Sequence, residues 1–500
     1  MTKKFKLTIL SILLVFCTFG LFACNNNGNL DNDVPVVVGT EGIEYQLNYD
    51  NKSYSVVGFG DLVDITTITI SSHVNDMLVT NVKVKAFKNC TAKTIILPES
   101  ILTIENEAFS DCVNLESISL PTSLKSIGGW AFYNCNKLET ITLPTNLESI
   151  GWGAFKNCST LNGIIIPNAV KVLERDVFSG CKNLQNVTLP QNLTKIDWSA
   201  FESCEKLTTL SIPQTVTYVG WSAFKNCKSL TSINLPNTLT AIENYLFYGC
   251  LSLTEITLPQ NITAIKEYAF YGCAKLESID IPKDVNYIDV NTFMGCVSIK
   301  DINVESENVT YSGSGNCLID IKSKTLIFGC SASVIPNSVE IIGENAFIEN
   351  TNLISINFPS SLRIVKDKAF YKCTKLQTVT MEEGVVTIGN NVFYGCKDLE
   401  QINFASTITT IGTASFSLCT SLKEVRLPSN LQVLSTSLFQ GCSSLKTVYL
   451  YHTLTNIQSF SLGSCPSLMN IVIDTNHADW DAIPKEDEWD FNSNNYTVVA

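Results

Sequence analysis

The chain has 500 residues and a formal charge of −13, from 34 basic and 47 acidic side chains. Only three of the basic residues are arginines (Arg175, Arg363 and Arg426), which argues against a nucleic-acid reader, since such proteins gather Arg and Lys on one face to meet phosphates. Only three histidines occur (His73, His452 and His477), none recurs with the repeat, and a Ser-His-Asp triad or a histidine-ligated zinc would each need one of them.

Residues 1–23 read as a signal peptide: Lys3, Lys4 and Lys6 precede an apolar run over 7–22 that is short for a membrane span. The run ends Leu21-Phe22-Ala23-Cys24, which is similar to a bacterial lipobox, so Cys24 is the expected lipidation site. The Asn-rich residues 24–33 then form a tether. Over 34–75 the alternation of Tyr45, Leu47, Tyr54 and Val56 predicts an N-terminal β cap built on a hairpin.

From residue 76 a single unit repeats. Fifteen times a Phe or Leu is followed three positions later by Cys, from Cys90 to Cys465, and nearly every interval within a run is 23 residues. Such a period predicts one supersecondary unit stacked many times. A typical unit reads Leu115-Glu-Ser-Ile118-Ser-Leu120-Pro121, then Leu124-Lys-Ser-Ile127-Gly128, then Ala131-Phe132-Tyr-Asn-Cys135. Period-two alternation turns Ile118 and Leu120 inward and Ser117 and Ser119 outward. Pro121 ends the strand. Gly128, and the glycines at 151, 220, 343, 389 and 412, mark an expected sharp turn.

The first block of repeats covers 76–304. An insertion at 305–333 has two alternating runs around Lys322-Ser323-Lys324, a predicted β-hairpin. Cys317 and Cys330 stand nearly equidistant from that turn and could pair as a disulfide across it in an exported protein, or stay as buried thiols. A second block covers 334–477, and 478–500, with Trp480, Trp489 and Tyr496, is an expected C-terminal cap over an otherwise open sheet edge.

These units resemble the BspA-like (Treponema pallidum-type) leucine-rich repeats of bacterial surface lipoproteins. The resemblance implies a right-handed leucine-rich-repeat solenoid, β-rich with parallel strands and short turns or helical segments, of about sixteen 23-residue units. It also implies a non-catalytic adhesion protein, exported and lipid-anchored to a bacterial cell or outer membrane. The partners implied are an extracellular protein or glycan ligand and, through the anchor, the membrane. No cofactor is expected.

Three features compete as sites. The regular cysteines point the same way instead of converging, which suits buried thiols better than a metal centre. The aromatics Trp130, Trp152, Trp198, Trp221, Tyr245 and Tyr268 precede the repeating Phe by two or three residues, a strip that could pack on itself or serve as a binding surface. Glu255, Asp280 and Asp301 lie on consecutive rungs, close enough in principle for glycosidase chemistry, which would make the protein a polysaccharide-cleaving enzyme of the β-helix kind. Glycan capture is the alternative to protein adhesion.

Overall fold

A computed structural model describes residues 36–474, 477–493 and 496–499. The chain winds into a solenoid of about 19 turns with little helix. This exceeds the sixteen repeats because the termini and the insertion supply further rungs. Ser53–Gly58 pairs in parallel with Met77–Val82 ahead of the first repeat's second side, and Thr497–Val499 pairs in parallel with Asn470–Ile473 after the last repeat.

Each coil has three sides. The main strand, such as Ser117–Ser119, stacks on its neighbour in parallel, one coil to the next. Its outward Ser117 and Ser119 are exposed and Ile118 is buried. A two-residue strand follows, such as Ser126–Ile127, paired with Thr103–Ile104 and Ser149–Ile150. The third side has no strand. There, alternate backbone N–H groups donate to the next coil: Trp130 N to Trp152 O at 2.9 Å, Phe132 N to Ala154 O at 2.8 Å and Asn134 N to Lys156 O at 3.0 Å. The buried backbone donors around Phe132 thus find partners without a sheet.

The turning is done two residues before and two after the Phe, where φ is positive (Trp130 55°, Asn134 60°). The expectation of a sharp turn at Gly128 is corrected accordingly. Its reason for being glycine is proximity, since a Cβ there would lie 2.5 Å from the backbone N of Asn106 in the preceding coil.

Inside each block the Phe rings stack coil on coil, with centroids 5.3 Å apart between Phe109 and Phe132 and 5.6 Å between Phe201 and Phe224. The cysteines form a second file. From Cys112 onward each thiol of the file donates to the Phe carbonyl of the preceding coil, as Cys227 Sγ does to Phe201 O at 3.2 Å. Among the described residues every cysteine is a free, buried thiol.

The insertion is a hairpin of Cys317–Asp320 and Thr325–Gly329, with Tyr311–Ser312 added antiparallel. Thr325–Gly329 then pairs in parallel with Ile341–Ile342, so the hairpin rebuilds one rung of the second side. Phe328 carries the ring stack on from Phe293 at 5.2 Å. The apolar core nevertheless divides here into two clusters, with Cys330 and Leu318 in the first and Cys317 and Ile319 in the second. The disulfide considered between Cys317 and Cys330 is not formed. Cys317 faces Gly329 across the hairpin, so Cys330, one residue on, projects to the other side. Its thiol donates to Lys300 O at 3.5 Å, whereas that of Cys317 donates to Gly315 O at 3.4 Å.

Candidate functional site

The strip runs along the strandless side, and the structure resolves it into three ring pairs. Trp130 and Trp152 meet edge to face with centroids 4.0 Å apart. Trp198 and Trp221 stack at 5.4 Å and 10°. Tyr245 and Tyr268 stack at 5.2 Å. Self-packing and exposure coexist: Trp130, Trp198 and Trp221 remain 37%, 47% and 46% exposed, and the other three are half-buried.

The mixed phase of the aromatics has a steric cause. One coil carries Gly129-Trp130 and the next Trp152-Gly153. A Cβ on Gly153 would lie 2.4 Å from Trp130 Cδ1, and one on Gly129 would lie 2.9 Å from Trp152 Nε1. Each indole therefore occupies the space that a glycine leaves in the adjoining coil.

Sequence reasoning missed Arg175, which holds the position three before the Phe, as do Trp152, Trp198 and Trp221. Counting that column rung by rung would have found it. Its guanidinium carbon lies 4.7 Å over the Trp152 ring. Between Arg175 and Trp198 is a hollow of about 510 Å³ lined by Arg175, Lys195, Asp197, Trp198 and Tyr218. Trp198 is held in place there, since its Nε1 donates to Tyr218 Oη at 3.0 Å. Further along, Trp221 Nε1 donates to Glu243 Oε2 at 2.7 Å, and Lys225 lies 5.7 Å over Tyr245. Burial raises the Tyr245 and Tyr268 phenols above their ordinary range, with Glu267 adding to the effect.

The acidic trio is spread over two outward columns of the main-strand face. Strand register stacks Ser278 on Asp301 and Asp280 on Asn303. Glu255, at the Ser278 position of the preceding coil, is thus two rungs from Asp301, while Asp280 belongs to the other outward column. All three are exposed, and Asp280 accepts from Asn303 Nδ2 at 2.8 Å. Among the described residues no group of three His, Cys, Asp or Glu side chains is placed to hold a metal ion.

A second feature unseen in the sequence lies on the main-strand face of the second block. A groove of about 700 Å³ is lined by residues including Glu400, Phe404, Lys423, Arg426 and Tyr451. Arg426 stacks 3.6 Å over Tyr449 and pairs with Glu424 at 3.0 Å. Cys24 lies outside the described residues. Among those described, no helix is long and apolar enough to cross a membrane.

Comparison with known proteins agrees with the coil geometry. A family described as "BspA type Leucine rich repeat region (6 copies)" matches residues 80–208, 195–318, 327–442 and 363–482. A leucine-rich repeat protein from Bacteroides ovatus ATCC 8483 shares the fold at 23% identity and a TM-score of 0.50, over 92% of this chain and 99% of that one. A leucine rich cell surface protein from Faecalibacterium prausnitzii A2-165 is 24% identical with a TM-score of 0.41, over 91% and 99% of the two chains. The T. pallidum leucine-rich repeat protein is 24% identical with a TM-score of 0.27, over 47% and 88%. No curated protein matches. Because the matched segments span nearly all the coils, the chain belongs to the BspA-type leucine-rich repeat family.

Proposed function

We propose that this is a non-catalytic, surface-displayed binding protein that engages an extracellular ligand through the aromatic strip of its first block. The observation that carries this reading is the exposure of Trp130, Trp198 and Trp221 beside Arg175. Trp, Tyr and Arg are the side chains that most often anchor interfaces. Elsewhere the outward main-strand positions of this block carry mostly Ser, Thr and Asn, which hydrate well and anchor little. Display by a lipid on Cys24 belongs to the same proposal.

The test is a binding panel of matrix proteins and glycans against the purified chain and the triple variant Trp152→Ser, Trp198→Ser, Trp221→Ser. Loss of binding by a variant that keeps its circular dichroism supports the strip. Binding unchanged in the folded variant rejects it. Metabolic labelling with a fatty acid, lost in Cys24→Ala, checks the anchor.

A further inference from the structure

We infer that the hollow between Arg175 and Trp198 binds an acidic sugar residue of an oligosaccharide, an inference that rests on the ligand-binding reading above. One indole face of Trp198 is covered by Trp221 at 5.4 Å, so the other is turned toward the rung of Arg175 and into the hollow. A fixed, flat, electron-rich face of this kind is a platform for the C–H face of a pyranose, because the ring's negative quadrupole attracts polarised C–H groups. Tyr218 Oη holds the indole at its Nε1, so little side-chain freedom remains to be lost on binding.

Charge then selects among sugars. Asp197 is already engaged, accepting from Lys195 Nζ at 2.9 Å and from the Trp198 backbone N at 2.9 Å. Among the described residues the Arg175 side chain has no ion pair or hydrogen bond, and its guanidinium lies over the Trp152 ring. Two cations and one carboxylate give the lining a formal +1, in a chain whose total is −13. A guanidinium with one face covered and its N–H fork free is matched by a carboxylate or sulfate, which accepts two parallel bonds. The Tyr218 hydroxyl and the ammonium of Lys195 remain for sugar hydroxyls.

The probes are an oligogalacturonate, its methyl-esterified neutral form and a sulfated oligosaccharide, titrated into the full chain by calorimetry and tryptophan fluorescence. The expected result is that at least one acidic probe binds about tenfold or more tighter than the neutral one. The two acidic probes distinguish a carboxylate from a sulfate ligand. Arg175→Gln should abolish the preference for acid, Arg175→Lys should restore part of it, and Trp198→Ala should weaken acidic and neutral probes alike. Equal binding of acidic and neutral probes, a preference that survives Arg175→Gln, or no binding of any probe overturns the inference. If no sugar binds but the triple tryptophan variant still loses a protein ligand, this inference fails while the broader binding role stands.

Discussion

Alkali should unfold the solenoid coil by coil, because its thiol file cannot ionise in place. Cys227, Cys373 and Cys419 are fully buried, and burial raises each thiol far above its ordinary range. At the end of the file Cys465 is pushed up to about 12. In the unfolded chain a cysteine ionises near pH ~8.5. The folded pKa is the higher, so this contribution is complete below about pH 8.5 and is lost as pH climbs toward the folded values. Over that window each buried thiol removes about 1.4 kcal/mol per pH unit. One 23-residue coil is worth roughly 1–3.5 kcal/mol at typical stability per residue, and most coils carry one such thiol. The balance is therefore exhausted about one to two and a half units above the unfolded value, at roughly pH 9.5–11. Stepwise titration would follow far-ultraviolet circular dichroism together with thiolate absorbance, and the two should change in concert. Thiolate absorbance appearing while the dichroism stays native would show that the file is open to solvent. Native dichroism without thiolate at about pH 11.5 would show that coil stacking far outweighs the cost of keeping the thiols protonated. Either result refutes the reasoning.

Three further outcomes follow from the packing. Phe201, fully buried and stacked on Phe178 at 5.5 Å and Phe224 at 5.6 Å, should lose about 3–5 kcal/mol as Phe201→Ala and about 1–1.5 kcal/mol as Phe201→Leu in urea unfolding. Ile233→Asp would bury a carboxylate in the file of inward strand residues, and hydrogen exchange should show protection lost by about 3 kcal/mol or more around coil 230–250. Gly153→Ala would meet both a positive φ of 59° and the Trp130 ring, so a loss of about 1–3 kcal/mol and a shift in tryptophan emission are expected.

The coil was legible in the sequence wherever the requirement was chemical and local. Alternation placed Ile118 inward and its serine neighbours outward, and the Phe-x-x-Cys beat located two interior files. What stayed hidden depended on how coils meet. Alternation puts Asp280 and Asp301 on one face, and register sets them in its two columns, Asp280 opposite Asn303 and Asp301 opposite Ser278. Equal distance from a turn suggests cross-strand partners only in a regular hairpin. Here a register shift between Leu318 and Ile319 sets Cys317 against Gly329 instead. The Gly128 column likewise looked like a turn signal, because the nearness of Asn106 in the coil below leaves no trace in the local sequence.

The two stacked arginines show why Arg175 is the stronger lead. Both lie over aromatic rings and both border a depression, so aromatic contact does not separate them. Charge compensation does. Arg426 is paired with Glu424, and its groove also holds Glu383 and Glu400, so an incoming anion would displace an existing partner and meet further carboxylates. Arg175 meets no such competition, and the neighbouring acid is already bound by Lys195. The solenoid interior tolerates little change, whereas the outward positions of the strandless side vary from coil to coil. A run of Trp152, Arg175, Trp198 and Trp221 at one position of four successive coils, with glycines making room for the first indole pair, is a concentration that packing alone does not require.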